Sequence, residues 1–179
     1  GILIGPSLQS ALQKQIPGLK TYPVLYAASL ATNINTVRTD QASINKGVDA
    51  FKQAQGCSVI IAGGYSQGAA VMHNVISKSL DAGIKAKIAG VALFGDTRNQ
   101  QDKGHIPNFP TERSKVWCNK NDGVCGGALN VNAGHLSYSN AQIGEAATYL
   151  ATQAKSLKAG SGAVSGVAET AAETTEASG

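Results

Sequence analysis

The 179-residue chain is 42% hydrophobic, 15% charged and 5% aromatic, with 21 glycines. This composition is that of a globular α/β protein, it excludes a disordered, collagen-like or coiled-coil chain, and the length suits one domain with a sizeable core. Fifteen Lys and Arg against eleven Asp and Glu leave a charge of +4. No run of five or more basic residues marks a nucleic-acid partner, and no apolar run approaches the ~20 residues of a membrane span.

Gly5-Pro6, followed by Leu8, Ala11, Leu12 and Ile16, predicts a helix with proline at its first position, stopped by Pro17-Gly18. Thr21 to Tyr26 reads as a strand and Ala27 to Thr39 as a long polar loop. Ile44, Val48 and Phe51 fall at helical spacing, with Gly56 ending that helix. Val59 to Ala62 is an apolar run of the kind buried on both faces of a parallel sheet, and Gly63-Gly64 breaks it. A helix is predicted from about Gln67 to Leu80, a second buried strand from Ile88 to Phe94, and a further one from Lys115 to Cys118. Ile143, Ala147, Leu150, Ala154 and Leu157 mark a closing amphipathic helix. Strands alternating with helices predict a parallel sheet covered on both faces. Residues 160–179 contain only Gly, Ala, Ser, Thr, Val and Glu. Such a segment has little to bury, so it is expected to be a disordered tail after a domain of residues 1–159.

Three cysteines lie at 57, 118 and 125, with no CxxC and only three histidines, so a zinc site is not indicated. Cys118 and Cys125 are close enough in sequence for a short bridge, which would imply an oxidising compartment and leave Cys57 as the odd cysteine.

Gly64-Tyr65-Ser66-Gln67-Gly68 is the strongest signal in the chain. A strand runs into it and a helix leaves it, the context that a G-x-S-x-G nucleophile elbow requires. So sharp a turn strains the serine backbone, and small residues two positions either side let the chain pass. A serine hydroxyl needs a base within hydrogen-bond reach. His73 is two turns along the helix that Ser66 opens and cannot reach back, and His105 sits in a loop without orienting context. His135, just before the last helix, follows the chain order serine, acid, histidine. Between Ser66 and His135, Asp81, Asp102 and Glu112 read as solvated. Asp96 and Asp122 both follow strands and compete for the acid position. Spacing favours Asp122, which lies between the two cysteines of the short loop.

The stretches Gly63–Ala70, Cys118–Cys125 and Gly134–Tyr138 together resemble the signature segments of fungal cutinases, with Leu93-Phe94-Gly95 and Arg113–Val116 in matching register between them. The resemblance covers residues 2–157. It implies a three-layer, lidless α/β-hydrolase and a secreted, monomeric serine esterase acting on cutin or on short to medium acyl esters, with no cofactor or metal. It assigns Ser66 as nucleophile, Asp122 as acid, His135 as base and the Gln67 backbone N–H as one oxyanion-hole donor, with Asn33 in support. Leu30, Leu129 and Val131 correspond to the apolar lips of the cleft. An acetylxylan esterase on the same scaffold and an inactive, elicitor-like binding protein are the alternatives.

Two departures stand out. Gly134 replaces a proline of the family pattern, which predicts a looser His135 loop. The family also carries, upstream of the matched segments, a mid-sheet first strand, a serine that is its second oxyanion donor, and the cysteine that pairs with the one matched by Cys57. The expectation is therefore an N-terminally incomplete domain with a vacant slot between Thr21–Tyr26 and Val59–Ala62. Two facing rows of unpaired backbone groups at that slot would prevent these 179 residues from forming the active enzyme alone.

Overall fold

The computed structural model describes residues 4–28, 37–128, 131–158 and 164–173. Its five strands form one parallel sheet in the spatial order β1 (Lys20–Ala28), β5 (Val164–Glu173), β2 (Val59–Tyr65), β3 (Ile88–Phe94) and β4 (Ser114–Trp117). Helices α1 (Gly5–Gln15) and α6 (Asn140–Lys158) cover one face, and α2 (Gln41–Gln53) and α3 (Gln67–Asn74) cover the other. Two single-turn helices, α4 (Ala82–Ala86) and α5 (Ala133–Leu136), lie in the connections.

Strand pleating divides the core into two layers. Ile60 and Ala62 of β2, with Val91 and Leu93 of β3, pack under α2 and α3. Val59 and Ile61, with Ala92 and Phe94, pack under α1 and α6. Both central strands are thus apolar at nearly every position, because each residue faces one covered layer or the other. Local signals start two of the helices. Pro6 sits in the first turn of α1. The Asp40 carboxylate caps α2 by accepting from the Ser43 N–H at 2.7 Å, a contact worth about 1 kcal/mol.

Three expectations are corrected. Gly63-Gly64 does not end β2, which continues through both glycines to Tyr65. The helix after Ser66 leaves α-geometry at Val75 and finishes as a π turn, Val75–Ser79. The third correction concerns the sheet. Residues 164–173, expected in a disordered tail, are strand β5 and fill the slot between β1 and β2 that the sequence reading left vacant. β5 runs in continuous parallel register with β1 from Lys20↔Ser165 to Ala28↔Glu173, and with β2 from Val59↔Val164 to Gly63↔Ala168.

Composition concealed this because the slot selects on the backbone. Two buried rows of N–H and C=O groups cost roughly 1–3 kcal/mol for each group left unpaired, and any extended segment of small residues can satisfy them. Gly166 and Val167 are buried there, Val167 within the core beneath α2 and α3. The sheet therefore pairs on both sides of the slot with residues this chain supplies.

Candidate active site

The site stands at the carboxyl edge of the sheet, where β2, β3 and β4 end. Ser66 takes φ 59° and ψ −120° between β2 and α3, the left-handed backbone of a sharp strand-to-helix turn. Gly64 makes that turn possible, since a Cβ there would lie 2.7 Å from the Gly68 carbonyl oxygen and 2.8 Å from the Ala69 nitrogen. Gln67 opens α3, where first-turn N–H groups have no carbonyl partner within the helix. Its side chain is buried and donates to Thr39 Oγ1 at 3.0 Å.

His135 comes from α5 and Asp122 from the turn after β4. His135 Nε2 is 2.9 Å from Ser66 Oγ, and His135 Nδ1 is 2.9 Å from Asp122 Oδ2. With the proton on Nδ1 shared with the carboxylate, Nε2 is left to accept from the serine hydroxyl. Asp122 and His135 are both buried, so the carboxylate interacts with the ring through little intervening solvent. The other Asp122 oxygen accepts from the Val124 N–H at 3.1 Å.

Two tyrosines complete the frame, and residue spacing had given neither a role. Tyr138 donates its hydroxyl to Asp122 Oδ2 at 2.6 Å. Burial, with the adjacent Asp122 charge adding to it, pushes the Tyr138 pKa well above the ordinary tyrosine value, so this hydroxyl stays a donor. Tyr65 stacks on the His135 ring at 5.0 Å between centroids and donates its hydroxyl to the His135 carbonyl at 2.7 Å. Their positions were the available signal: one residue before the serine and three after the histidine.

Gly134, in the loop that carries His135, lies packed against Asn121. A Cβ at 134 would lie 2.5 Å from Asn121 Oδ1, so the glycine admits close packing. Asn132 caps α5 by accepting from the His135 N–H at 3.1 Å, and Asn119 Nδ2 donates to the Gly134 carbonyl at 2.8 Å. Cys118 and Cys125 are bridged, closing a loop around Asp122, while Cys57 is buried outside that bridge. On the chain-entropy view so short a loop contributes about 2–3 kcal/mol. Mild reduction should therefore lower ester turnover at temperatures where the far-ultraviolet circular dichroism is still native. Simultaneous loss of both signals would show that the bridge serves the fold alone.

The remaining acids and histidines have other partners. Asp96 does emerge at the carboxyl edge, but its carboxylate turns to His73, not to His135. Asp102, read as solvated, is ion-paired with Arg98 and His73 instead, because the β3–β4 connection folds back over α3. Asp81 caps α4, and Glu112 is exposed in a turn. His105 stays in its loop beside the Ile106 carbonyl. Leu30, Asn33 and Leu129 lie outside the described residues. Val131 is 50% exposed, and Leu136, which lies next to His135 in α5, is 55% exposed. Among the described residues no group of three or more His, Cys, Asp or Glu is arranged to hold a metal ion.

The cutinase family profile matches residues 2–154. The chain belongs to the cutinase family. It is 42% identical over 160 residues to a probable cutinase 3 of Neosartorya fischeri, spanning 86% of this chain and 73% of that protein. To cutinase 1 of Fusarium vanettenii it is 40% identical over 161 residues, spanning 88% and 70%. A solved structure of Trichoderma reesei cutinase in complex with a C11Y4 phosphonate inhibitor superposes with a TM-score of 0.69 at 29% identity, over 85% of this chain and 68% of that one. A cutinase-like protein from Cryptococcus sp. shares the fold, with a TM-score of 0.70 at 18% identity over 84% of this chain and 86% of that one. As a cutinase, the chain is a carboxylic ester hydrolase on an α/β-hydrolase sheet. Among the described residues no helix is long and apolar enough to cross a membrane.

Proposed function

We propose that Ser66 is the nucleophile of this hydrolase, His135 its general base and Asp122 the acid that orients the ring. The observation that carries the assignment is the unbroken chain Ser66 Oγ–His135 Nε2 and His135 Nδ1–Asp122 Oδ2, with 2.9 Å at each link. Ser66 attacks the ester carbonyl while its proton passes to His135 Nε2. The imidazolium then protonates the leaving alcohol, and water, activated by the same histidine, releases the acid. Charge developing on the carbonyl oxygen is met by the Gln67 N–H at the positive end of α3.

The substrate is cutin or another ester of a short to medium acyl chain. Exposed Leu136, next to His135 in α5, supports this, because it offers apolar surface to such a chain. The enzyme acts as a secreted monomer, and the Cys118–Cys125 bridge supports an oxidising compartment. Titration with an alkyl phosphonate ester tests the site: one phosphonyl group per chain on Ser66, and none on a Ser66→Ala variant, is expected. Turnover of p-nitrophenyl esters tests the substrate, with activity held from acetate through butyrate and hexanoate. A sharp fall at butyrate would make the protein an acetyl esterase. No phosphonate uptake would overturn the assignment.

A further inference from the structure

A second histidine–carboxylate cluster lies beneath the site and takes no part in the chemistry described above. His73, on α3, is 1% exposed, and Asp96, directly after β3, is fully buried. His73 Nε2 is 2.5 Å from Asp96 Oδ2. On the other side of the ring, Nδ1 lies 2.7 Å from Asp102 Oδ2, a close ion-pair contact too oblique to be a straight hydrogen bond. Arg98 clasps Asp102 from behind with two contacts, Nε to Oδ2 at 2.9 Å and an NH2 group to Oδ1 at 2.6 Å. Two carboxylates, one guanidinium and one imidazolium leave the cluster without net charge. A neutral His73 would leave one uncompensated negative charge in the interior, which is costly.

The segment this cluster anchors touches every member of the proposed triad. Gly95, with φ +53°, backs onto the histidine and the acid: a Cβ there would lie 2.8 Å from His135 Cε1 and Nδ1 and 3.0 Å from Asp122 Oδ2. The Thr97 hydroxyl donates to the Ser66 carbonyl at 3.5 Å. Asn99 Nδ2 donates to the Cys125 carbonyl at 3.1 Å, on the bridged loop that holds Asp122. Asp96 Oδ1 accepts from the Arg98 N–H at 2.9 Å, stiffening the turn between them.

We infer that His73, as an imidazolium held between Asp96 and Asp102, is a positioning residue that locks the 95–102 segment against α3 and thereby holds Ser66, Asp122 and His135 in register. The inference rests on the triad assignment above. The charged groups facing His73 among the described residues are Asp96 and Asp102, with Arg98 beyond Asp102 and Arg38 reaching the same loop at the Gln101 amide. Burial opposes the charged ring, but the Asp96 and Asp102 carboxylates outweigh it and push the His73 pKa up to about 9 from 6.5. A folded pKa above the unfolded one stabilises fully below about 6.5, and that stabilisation is lost as pH rises through 9. His73 and Arg98 together, against the cost of burial, hold Asp102 well below the usual carboxylate range, so it stays charged throughout this window.

The test compares the full chain with its His73→Gln and Asp102→Asn variants on p-nitrophenyl butyrate from pH 5 to 10, with active sites counted by phosphonate titration. The wild-type kcat should fall along an alkaline limb as His73 deprotonates. His73→Gln should lower kcat at pH 8 by about 10- to 100-fold per titrated site, the scale of a sub-ångström to 1 Å misplacement, with KM within about twofold. Its alkaline limb should disappear, and that of Asp102→Asn should move to lower pH. A His73→Gln enzyme with wild-type kcat and limb would overturn the inference. Should that variant not fold, an unmoved limb in Asp102→Asn would overturn it. Failure of the triad assignment is a separate result, visible as a wild-type chain that takes up no phosphonate on Ser66.

Discussion

Asp122→Asn should lower kcat by about 10⁴ with the fold intact, the loss measured for the equivalent change in the serine-protease template, and Ser66→Ala by about 10⁶. An asparagine at 122 still fits between the Tyr138 hydroxyl and the ring, but it presents an amide N–H where His135 Nδ1 needs an acceptor. The ring then settles in the wrong tautomer, with its proton on Nε2 facing Ser66, and cannot act as base. Asp96→Asn should cost at most about 10², since Asp96 reaches the triad only through His73 and the 95–102 segment. Steady-state kinetics on p-nitrophenyl butyrate, with melting curves for each variant, decides between them. If Asp96→Asn proves the more damaging by orders of magnitude, the acid has been misassigned.

A chain ending at Lys158 should show no cooperative melt. Removing β5 strips β1 of its partners from Lys20 to Ala28 and β2 of those from Val59 to Gly63, in the middle of the sheet. At roughly 1–3 kcal/mol for each buried group left unpaired, a handful of them exceeds the ~5–15 kcal/mol by which a domain is normally stable. Val167→Asp in the full chain tests the same contact more gently. It buries a carboxylate at a site 1% exposed, and should destabilise by about 3–5 kcal/mol, seen as a shift in the denaturant midpoint. If both variants melt like the full chain, residues 164–173 contribute nothing to the fold.

The sequence by itself determined the elements whose signals are local. Helical periodicity in α2 and α6, the proline in the first turn of α1 and the continuous apolar runs of β2 and β3 depend on residues within a few positions of one another. The same holds for the elbow, where steric demand on Gly64 and the strain at Ser66 arise inside five residues. His135 was legible by elimination, because His73 is fixed two helical turns from the serine. Tertiary structure alone decided the rest. Asp96 and Asp122 both follow a strand, and only the fold of the β3–β4 connection over α3 turns the first toward His73 and leaves the second to His135. Tyr65 and Tyr138 acquire their roles from groups 70 and 16 positions away. Strand β5 is the plainest case. Its small side chains carry almost no hydrophobic signal, and what holds it is backbone pairing on both sides, which the chain acquires only when two distant strands have already formed a slot.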